Sequence, residues 1–232
     1  MGVVPLLVVG YLRRSLPETS RWANLDEQDR RRGGLLGVFV PPYRFRFLVL
    51  VLLAAGASAS FATAFSFASY RATTAFQWTP AQVSTMILTG GGLGFWGWMV
   101  FGRMADLMGR RPTAAVCLVG SAAAIACFYR TSMLFPAFAT LVFFEAGITI
   151  AVTAISTESF PTALRATARA WVTNASMIGA VVGLGLVGAL SSRLGGSAPV
   201  VALLGLLPLV IAPLLWWLPE TVGRDLDADD AP

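Results

Sequence analysis

The sequence predicts an all-α, polytopic membrane protein, on the basis of its composition, the placement of its charges and the length of its apolar intervals. Hydrophobic residues make up 56% of the 232 residues and charged residues only 12%, about half the share typical of soluble domains. Of the 17 basic and 12 acidic residues, twelve lie in residues 1–46 and six in residues 220–232, which leaves eleven for the long stretch between. A soluble domain of this kind would have no polar surface to present to water, so the middle of the chain is expected to lie in lipid.

Six intervals between charged residues are long and apolar enough to cross a bilayer as helices, which takes about 20 residues each. The fourth is interrupted once, by Glu145. Pro208 and Pro213 lie inside the last interval and predict a kink there. Glycines at small-x-x-x-small spacing in the second and fifth intervals predict closely packed helices. The predicted spans are 47–69, 81–101, 112–129, 135–157, 170–190 and 198–218.

The remaining segments are assigned from their length and charge. Residues 1–12 are interpreted as the tail of a truncated preceding helix, because their apolar stretch is too short to cross a bilayer. A signal peptide is the alternative, but it needs basic residues before its apolar run, whereas here two arginines follow it. The predicted layout is then a central cytoplasmic loop at 13–46, a six-helix transmembrane domain at 47–218 and a cytoplasmic tail at 219–232.

All 17 basic residues are arginines, and their distribution predicts the orientation of the chain. If the segment before the first span is cytoplasmic, fourteen arginines lie inside and only Arg71, Arg130 and Arg193 lie outside. This asymmetry follows the positive-inside rule. It predicts that the protein lies in the cytoplasmic membrane with both termini in the cytoplasm. Arginine without lysine, together with abundant alanine, is typical of a GC-rich bacterial genome. The basic charge is assigned to anionic lipid rather than to nucleic acid.

Several other function classes are disfavoured by what the chain lacks. It has no histidine, and Cys117 and Cys127 lie ten residues apart in an apolar run, so neither a zinc site nor a disulfide framework is available. A membrane enzyme would need a nucleophile, metal ligands or paired acids in the bilayer, whereas the spans hold a single mid-span carboxylate. The sequence therefore predicts no enzyme, no metal and no cofactor.

The segment between the second and third spans carries the most specific motif. It reads Gly102-Arg103-Met104-Ala105-Asp106-Leu107-Met108-Gly109-Arg110-Arg111-Pro112. This resembles the cytoplasmic loop signature of the major facilitator superfamily, G-x-x-x-D-[RK]-x-G-R-R. Leu107 departs from that signature, which prefers a basic residue there, and this weakens the charge network of the loop. A short basic loop that only obeys the orientation rule would explain the arginines but not the spacing of glycine and aspartate.

Two further segments carry the same resemblance. Residues 158–168 read Glu-Ser-Phe-Pro-Thr-Ala-Leu-Arg-Ala-Thr-Ala and are similar to the E-x-F-P-T-x-x-R-x-x-A run that closes the tenth helix of sugar-porter-like and organic-ion members. The tetrapeptide Leu-Pro-Glu-Thr occurs at 16–19, after the apolar stretch, and again at 218–221, after the last span. In sugar-porter-like members a P-E-[ST] sequence closes each six-helix half.

The resemblance covers nearly the whole chain, but the chain corresponds to only one of the two six-helix halves that members of the family have. It implies that the six spans correspond to helices seven to twelve, the carboxyl-terminal half of a transporter. The implied function is secondary transport of a small solute by alternating access, resembling metabolite–proton symporters, with a missing N-terminal half or a second chain as partner. The alternative is a non-transporting membrane subunit or a degenerate half-transporter.

Glu145 is the candidate substrate or proton site, because an ionisable group in mid-span is costly. Helical spacing places Glu145, Thr149, Thr153 and either Ser156 or Thr157 on one face. This stripe is predicted to face the translocation cavity, where Glu145 binds a cationic or hydroxylated solute or carries a proton. The alternative is that Glu145 only packs against a neighbouring helix. Hydroxyl residues of the first and fifth spans are expected mainly to pack, and Asn174 is the best binding candidate among the polar residues there.

A cluster of charged residues and glycines is predicted at the cytoplasmic helix ends, where the resemblance implies an inner gate. Its ion pairs would form when the cavity opens outward and break when it opens inward. The alternative is a set of solvated interfacial charges. The predicted gate residues are Gly102, Arg103, Asp106, Gly109, Arg110, Arg111, Glu158, Arg165 and Glu220.

Overall fold

A computed structural model of the chain describes Tyr11, residues 34–41 and residues 43–223. Most of the predicted truncated helix and central loop, the first copy of the Leu-Pro-Glu-Thr repeat and the tail after Gly223 lie outside the described residues. Within them, every regular element is a helix.

Five long helices follow one another in the described chain, and a broken helical stretch follows them. The long helices are α1 (Arg44–Phe76), α2 (Pro80–Met108), α3 (Arg110–Arg130), α4 (Leu134–Glu158) and α5 (Thr162–Leu190). The last stretch consists of α6 (Ser197–Leu204), α7 (Leu207–Ile211) and a 3₁₀ helix at Ala212–Trp217, and a short 3₁₀ turn at Gly37–Phe39 precedes α1.

Length and composition allow five stretches to cross a membrane, namely α1, α3, α4, α5 and Ser197–Trp217. The helix α2 covers the second predicted span and has 29 residues, but it is not among these five stretches. Glycines and hydroxyl residues dilute its aliphatic side chains. At a rise of about 1.5 Å per residue, a helix of that length is longer than the hydrocarbon core of a bilayer.

The helices extend beyond the predicted spans at most of their ends. The helix α1 runs on past Arg71 to Phe76, and α5 begins at Thr162 rather than at 170. The physical reason is that charged residues mark the edge of the hydrocarbon, whereas a helix continues through the headgroup layer until its backbone is stopped. The helix α1 stops at Gln77, which adopts a left-handed conformation. The next helix begins at Pro80, behind a capping box between Thr79 and Gln82.

The predicted kink in the last span is confirmed. Helical hydrogen bonding is interrupted at Gly205–Leu206, just before Pro208, and changes to 3₁₀ geometry at Ala212, just before Pro213. Each proline lies in the first turn of the segment that follows the break, where its missing N–H costs least.

Small residues bring the helices into close contact, as their spacing predicts. A Cβ on Gly183 of α5 would lie 2.7 Å from the carbonyl oxygen of Ala59 on α1, and a Cβ on Gly97 of α2 would lie 2.6 Å from that of Phe143 on α4. The helix α2 therefore packs along α4, and α5 packs along α1. The remaining long helix, α3, also packs along α4.

Two groups of buried apolar side chains fill the bundle, one near each end. One group lies at the end that holds the turn between α2 and α3, and it includes Phe47, Phe101 and Leu215. The other lies at the end that holds the loop between α3 and α4, and it includes Phe128 and Phe138.

Candidate functional site

The turn between α2 and α3 is a single residue, Gly109. Its φ of 110° and ψ of 154° are accessible essentially only to glycine. A Cβ at this position would also lie 2.9 Å from Oε2 of Glu220. The glycine of the motif is therefore required both by the backbone conformation and by the approach of the carboxylate.

Arg110 joins three parts of the chain at this turn. It forms an ion pair with Asp106, one helical turn earlier, and a second with Glu158 at the end of α4, with Nη2 3.2 Å from Oε1. The side chains of Arg110 and Glu158 are 17% and 19% exposed, whereas that of Asp106 is 67% exposed. Since solvent screens exposed pairs, the contact with Glu158 is the stronger link.

Glu220 caps the amino terminus of α3 from the far end of the chain. Its carboxylate accepts hydrogen bonds from the backbone N–H groups of Arg110 at 2.9 Å and Arg111 at 3.2 Å. Burial acts to raise the pKa of Glu220, but the hydrogen bonds donated to the carboxylate outweigh it, so the pKa lies below its usual value. An acidic group at this position also interacts favourably with the helix dipole.

Thr221 completes the cluster by linking two of its carboxylates. Its hydroxyl donates to Oε2 of Glu158 at 2.5 Å, and its backbone N–H donates to Glu220 at 3.0 Å. The guanidinium of Arg111 donates to the carbonyl oxygen of Trp216 at 3.0 Å. The ends of α2, α3 and α4 and the segment after the last helical stretch are thus held by one hydrogen-bonded network, here called the turn cluster (Asp106, Gly109, Arg110, Arg111, Glu158, Glu220, Thr221).

Three of the predicted gate residues are not joined to the turn cluster. Arg103 is exposed and makes no ion pair with any described residue. Gly102 lies inside α2, where a Cβ would only touch Ile150. The Nε atom of Arg165 is buried and has no hydrogen-bond partner in the described chain. Sequence reasoning missed Thr221, although the repeat that contains it was a signal that this segment mattered.

A second polar site is a groove of about 260 Å³ between α1, α4 and α5. Glu145, Thr149 and Thr153 line it from α4, as the predicted stripe requires. The Oε2 atom of Glu145 is buried without a hydrogen-bond partner among the described residues.

The remaining predicted residues, Ser156 or Thr157 of the stripe and Asn174 of the fifth span, do not line the groove. Ser156 is buried and donates to the carbonyl oxygen of Thr153 at 2.8 Å, and Thr157 also donates to its own helix. Asn174 is exposed, donates to the carbonyl oxygen of Ala170 at 3.0 Å and does not line the groove.

Four further polar residues line the groove. Ser58, Thr173 and Ser176 are hydroxyl residues that were expected mainly to pack, and Arg169 was not selected by sequence reasoning. Arg169 had marked the edge of a predicted span. Because α5 begins two turns earlier, at Thr162, this arginine lies within the helix instead. Pro161, directly before Thr162, was the available signal for the earlier start.

Together, the fold and the polar sites define a polytopic α-helical membrane protein with a groove on one side of the bundle and a charged turn at one end. The chain belongs to the Major Facilitator Superfamily, whose family model matches residues 4–230. The family resemblance and the fold class predicted from the sequence are thereby confirmed.

Among solved structures, 18 chains match. One is the inward-open conformation of the xylose transporter XylE from E. coli, with a TM-score of 0.56 and 17% sequence identity. The match covers 76% of this chain and 48% of that chain, so this chain spans about half the length of the transporter it matches. Likeness at this identity shows the fold. No curated protein matches the sequence.

Proposed function

We propose that the chain is one six-helix half of a secondary transporter that moves a small solute by alternating access, coupled to protons. Membership of the superfamily and the fold shared with a solute transporter support this function. The second half would be an N-terminal six-helix domain or another chain. The domain layout predicted from the sequence belongs to this proposal.

The observation that carries the proposal is the carboxylate of Glu145 in the groove, whose Oε2 atom is buried and has no hydrogen-bond partner among the described residues. A polar group without a partner in a low-dielectric environment is costly. A chain that keeps such a group has a use for it, and a carboxyl group can bind a cationic or hydroxylated solute or carry a proton. The hydroxyls of Thr149 and Thr153 extend the same surface along α4.

The turn cluster serves as the inner gate in this proposal. It ties α4 to the α2–α3 turn through the ion pair between Arg110 and Glu158. Opening the groove toward this end requires the pair to separate, so its strength biases the equilibrium between the two arrangements. Arg103 is close in sequence to Asp106, and Arg165 is close in sequence to Glu158. Both arginines would form ion pairs in the arrangement in which the pair between Arg110 and Glu158 is separated.

The proposed location is the cytoplasmic membrane of a bacterium, with both termini and the turn cluster on the cytoplasmic side. The arginine distribution supports this orientation. Proposed partners are therefore the lipid bilayer, the solute and its coupled proton, and the second half.

Access from both sides tests the proposal without knowledge of the solute. Ser176 lines the groove, whereas Val119 lies on the exposed side of α3 outside it. In a variant without native cysteines, Ser176→Cys is introduced into the full chain, and a membrane-impermeant maleimide is applied to right-side-out and inside-out vesicles. We expect labelling from both sides.

Val119→Cys is the matched control, because it reports whether the reagent reaches a side chain that faces lipid. A non-transporting subunit would expose the groove to one side at most. Labelling of Ser176→Cys from one side only, or from neither, contradicts alternating access.

A further inference from the structure

The groove holds a positive charge as well as a negative one. Arg169 of α5 lines the same groove of about 260 Å³ as Glu145 of α4. At a rise of about 1.5 Å per residue, Glu145 lies about 20 Å from the Glu158 end of α4, and Arg169 lies about 10 Å from the Thr162 start of α5. Because these two helix ends are adjacent in the chain, the two charged residues are offset by about 10 Å along the bundle.

The two charges face the groove without neutralising each other directly. The ion pairs of the described chain involve Arg110 only, with Asp106 and Glu158. Neither Glu145 nor Arg169 takes part, and Oε2 of Glu145 has no hydrogen-bond partner among the described residues. The groove thus carries one acidic and one basic group, each free to bind a ligand.

Three of the five hydroxyls that line the groove, those of Thr153, Thr173 and Ser176, add acceptors rather than donors. Thr153 donates to the carbonyl oxygen of Thr149 at 2.6 Å, and Ser176 donates to that of Val172 at 3.1 Å. Since each hydroxyl has one proton and two lone pairs, these groups can then only accept a further hydrogen bond. An acceptor-rich wall beside a carboxylate favours a ligand that carries an ammonium group or several hydroxyls.

We infer that the groove binds a small zwitterionic solute, with its cationic end at Glu145 and its anionic end at Arg169. A solute of this class pairs both groups and keeps the net charge of the groove at zero. A solute with one charge would leave the other protein charge unpaired in a low-dielectric site, and a neutral sugar would leave both unpaired. The inference rests on the proposed function, because it assigns the solute of the same groove.

The test measures binding to the purified full chain in nanodiscs by titration calorimetry. The zwitterionic probes are β-alanine, γ-aminobutyrate and 6-aminohexanoate, which differ in the spacing of their charges. Butylamine, butyrate and xylose are the cationic, anionic and neutral probes. We expect the best zwitterion to bind at least tenfold more tightly than each of these, since each charge-assisted contact contributes about tenfold or more.

Two variants assign the ends of the solute. Glu145→Gln should remove the preference for the zwitterion over butyrate, and Arg169→Gln should remove its preference over butylamine. Thr140→Val on α4 and Arg193→Gln after α5 are the matched controls, because both residues are exposed and lie outside the groove. Both controls should keep the wild-type order of affinities. A monodisperse size-exclusion profile of each variant establishes that the chain is folded.

The inference is overturned if no probe binds, if xylose or a singly charged probe binds as tightly as every zwitterion, or if the control variants change the order of affinities as the groove variants do. Any of these results together with two-sided labelling of Ser176→Cys would leave the proposed function standing. One-sided labelling would remove the proposed function whatever the probes do.

Discussion

Replacing Gly109 with alanine should destabilise the chain, because the turn between α2 and α3 has room for a hydrogen but not for a methyl group. The backbone at φ 110° and ψ 154° lies in a region that residues with a Cβ avoid, at a cost of about 1–3 kcal/mol. The new Cβ would also lie 2.9 Å from Oε2 and 3.1 Å from Cδ of Glu220. The carboxylate must therefore move.

Moving the carboxylate weakens the cap on α3. Glu220 accepts from the backbone N–H groups of Arg110 and Arg111, and a hydrogen bond to a charged acceptor contributes about 1.5–3 kcal/mol. Since Glu220 is exposed, water replaces part of what is lost. Strain and the weakened cap together give an expected destabilisation of about 2–4 kcal/mol.

The assay is unfolding of the full chain in mixed micelles by increasing the mole fraction of SDS, followed by circular dichroism. Gly91→Ala is the matched control, because a Cβ on Gly91 would meet no atom within 4 Å. That control should leave stability unchanged or raise it by up to about 1 kcal/mol through helix propensity. In a Glu220→Ala background the cost of Gly109→Ala should fall, because only the backbone strain remains. Equal unfolding midpoints for Gly109→Ala and Gly91→Ala would refute the reasoning.

Three further predictions concern packing, pH and orientation. Gly183→Ala should lower the free energy of unfolding by about 1–3 kcal/mol in the same SDS titration. Gly185→Ala should leave it unchanged, because a Cβ on Gly185 would lie in open space. Similar unfolding midpoints for the two variants would contradict the packing described. The pKa of Glu220 is lowered in the folded chain. The Glu220 carboxylate therefore contributes its full stabilisation of the fold above the usual glutamate pKa, and this contribution is lost as the pH falls through the lower pKa of the folded state. Glu220→Gln should therefore be less stable than wild type at pH 7, and a difference that persists in strong acid would count against the cap. In a cysteine-free background, Leu107→Cys should react with an impermeant maleimide from the cytoplasmic side only and Met133→Cys from the outer side only, and the reverse pattern would invert the proposed orientation.

The sequence predicted those features of the fold that the lipid environment determines, namely the positions of the membrane-spanning helices. Charge-free intervals located the helices, and Pro208 and Pro213 located the breaks in the last stretch. Helix ends were less predictable, because the charge pattern reports the hydrocarbon edge and the backbone follows local signals. Gln77 ends α1 in a left-handed conformation, and no composition rule selects that residue.

The sequence predicted which residues belong to the turn cluster better than it predicted the hydrogen bonds and ion pairs between them. The family resemblance selected Asp106, Arg110, Glu158 and Glu220, but the sequence does not say that Glu220 binds backbone N–H groups of α3 while Arg110 pairs with Glu158. Those contacts join residues that are far apart in the chain, so they depend on packing. The sequence did not identify Arg169 as a groove residue for a related reason, because its position in the groove depends on where α5 begins.

The groove and the turn cluster share one rigid element, and this gives a physical route between them. The helix α4 carries Glu145 in the groove and Glu158 in the ion pair with Arg110. A helix of this length moves as a unit because its packed neighbours allow discrete arrangements rather than gradual deformation. Separation of the pair with Arg110 frees one end of α4 to move against α3, and the same movement shifts Glu145 relative to α5. We therefore expect Arg110→Gln to change the reactivity of Ser176→Cys from both sides of the membrane, although Arg110 is not a groove residue. Unchanged reactivity would mean that the cluster and the groove act independently.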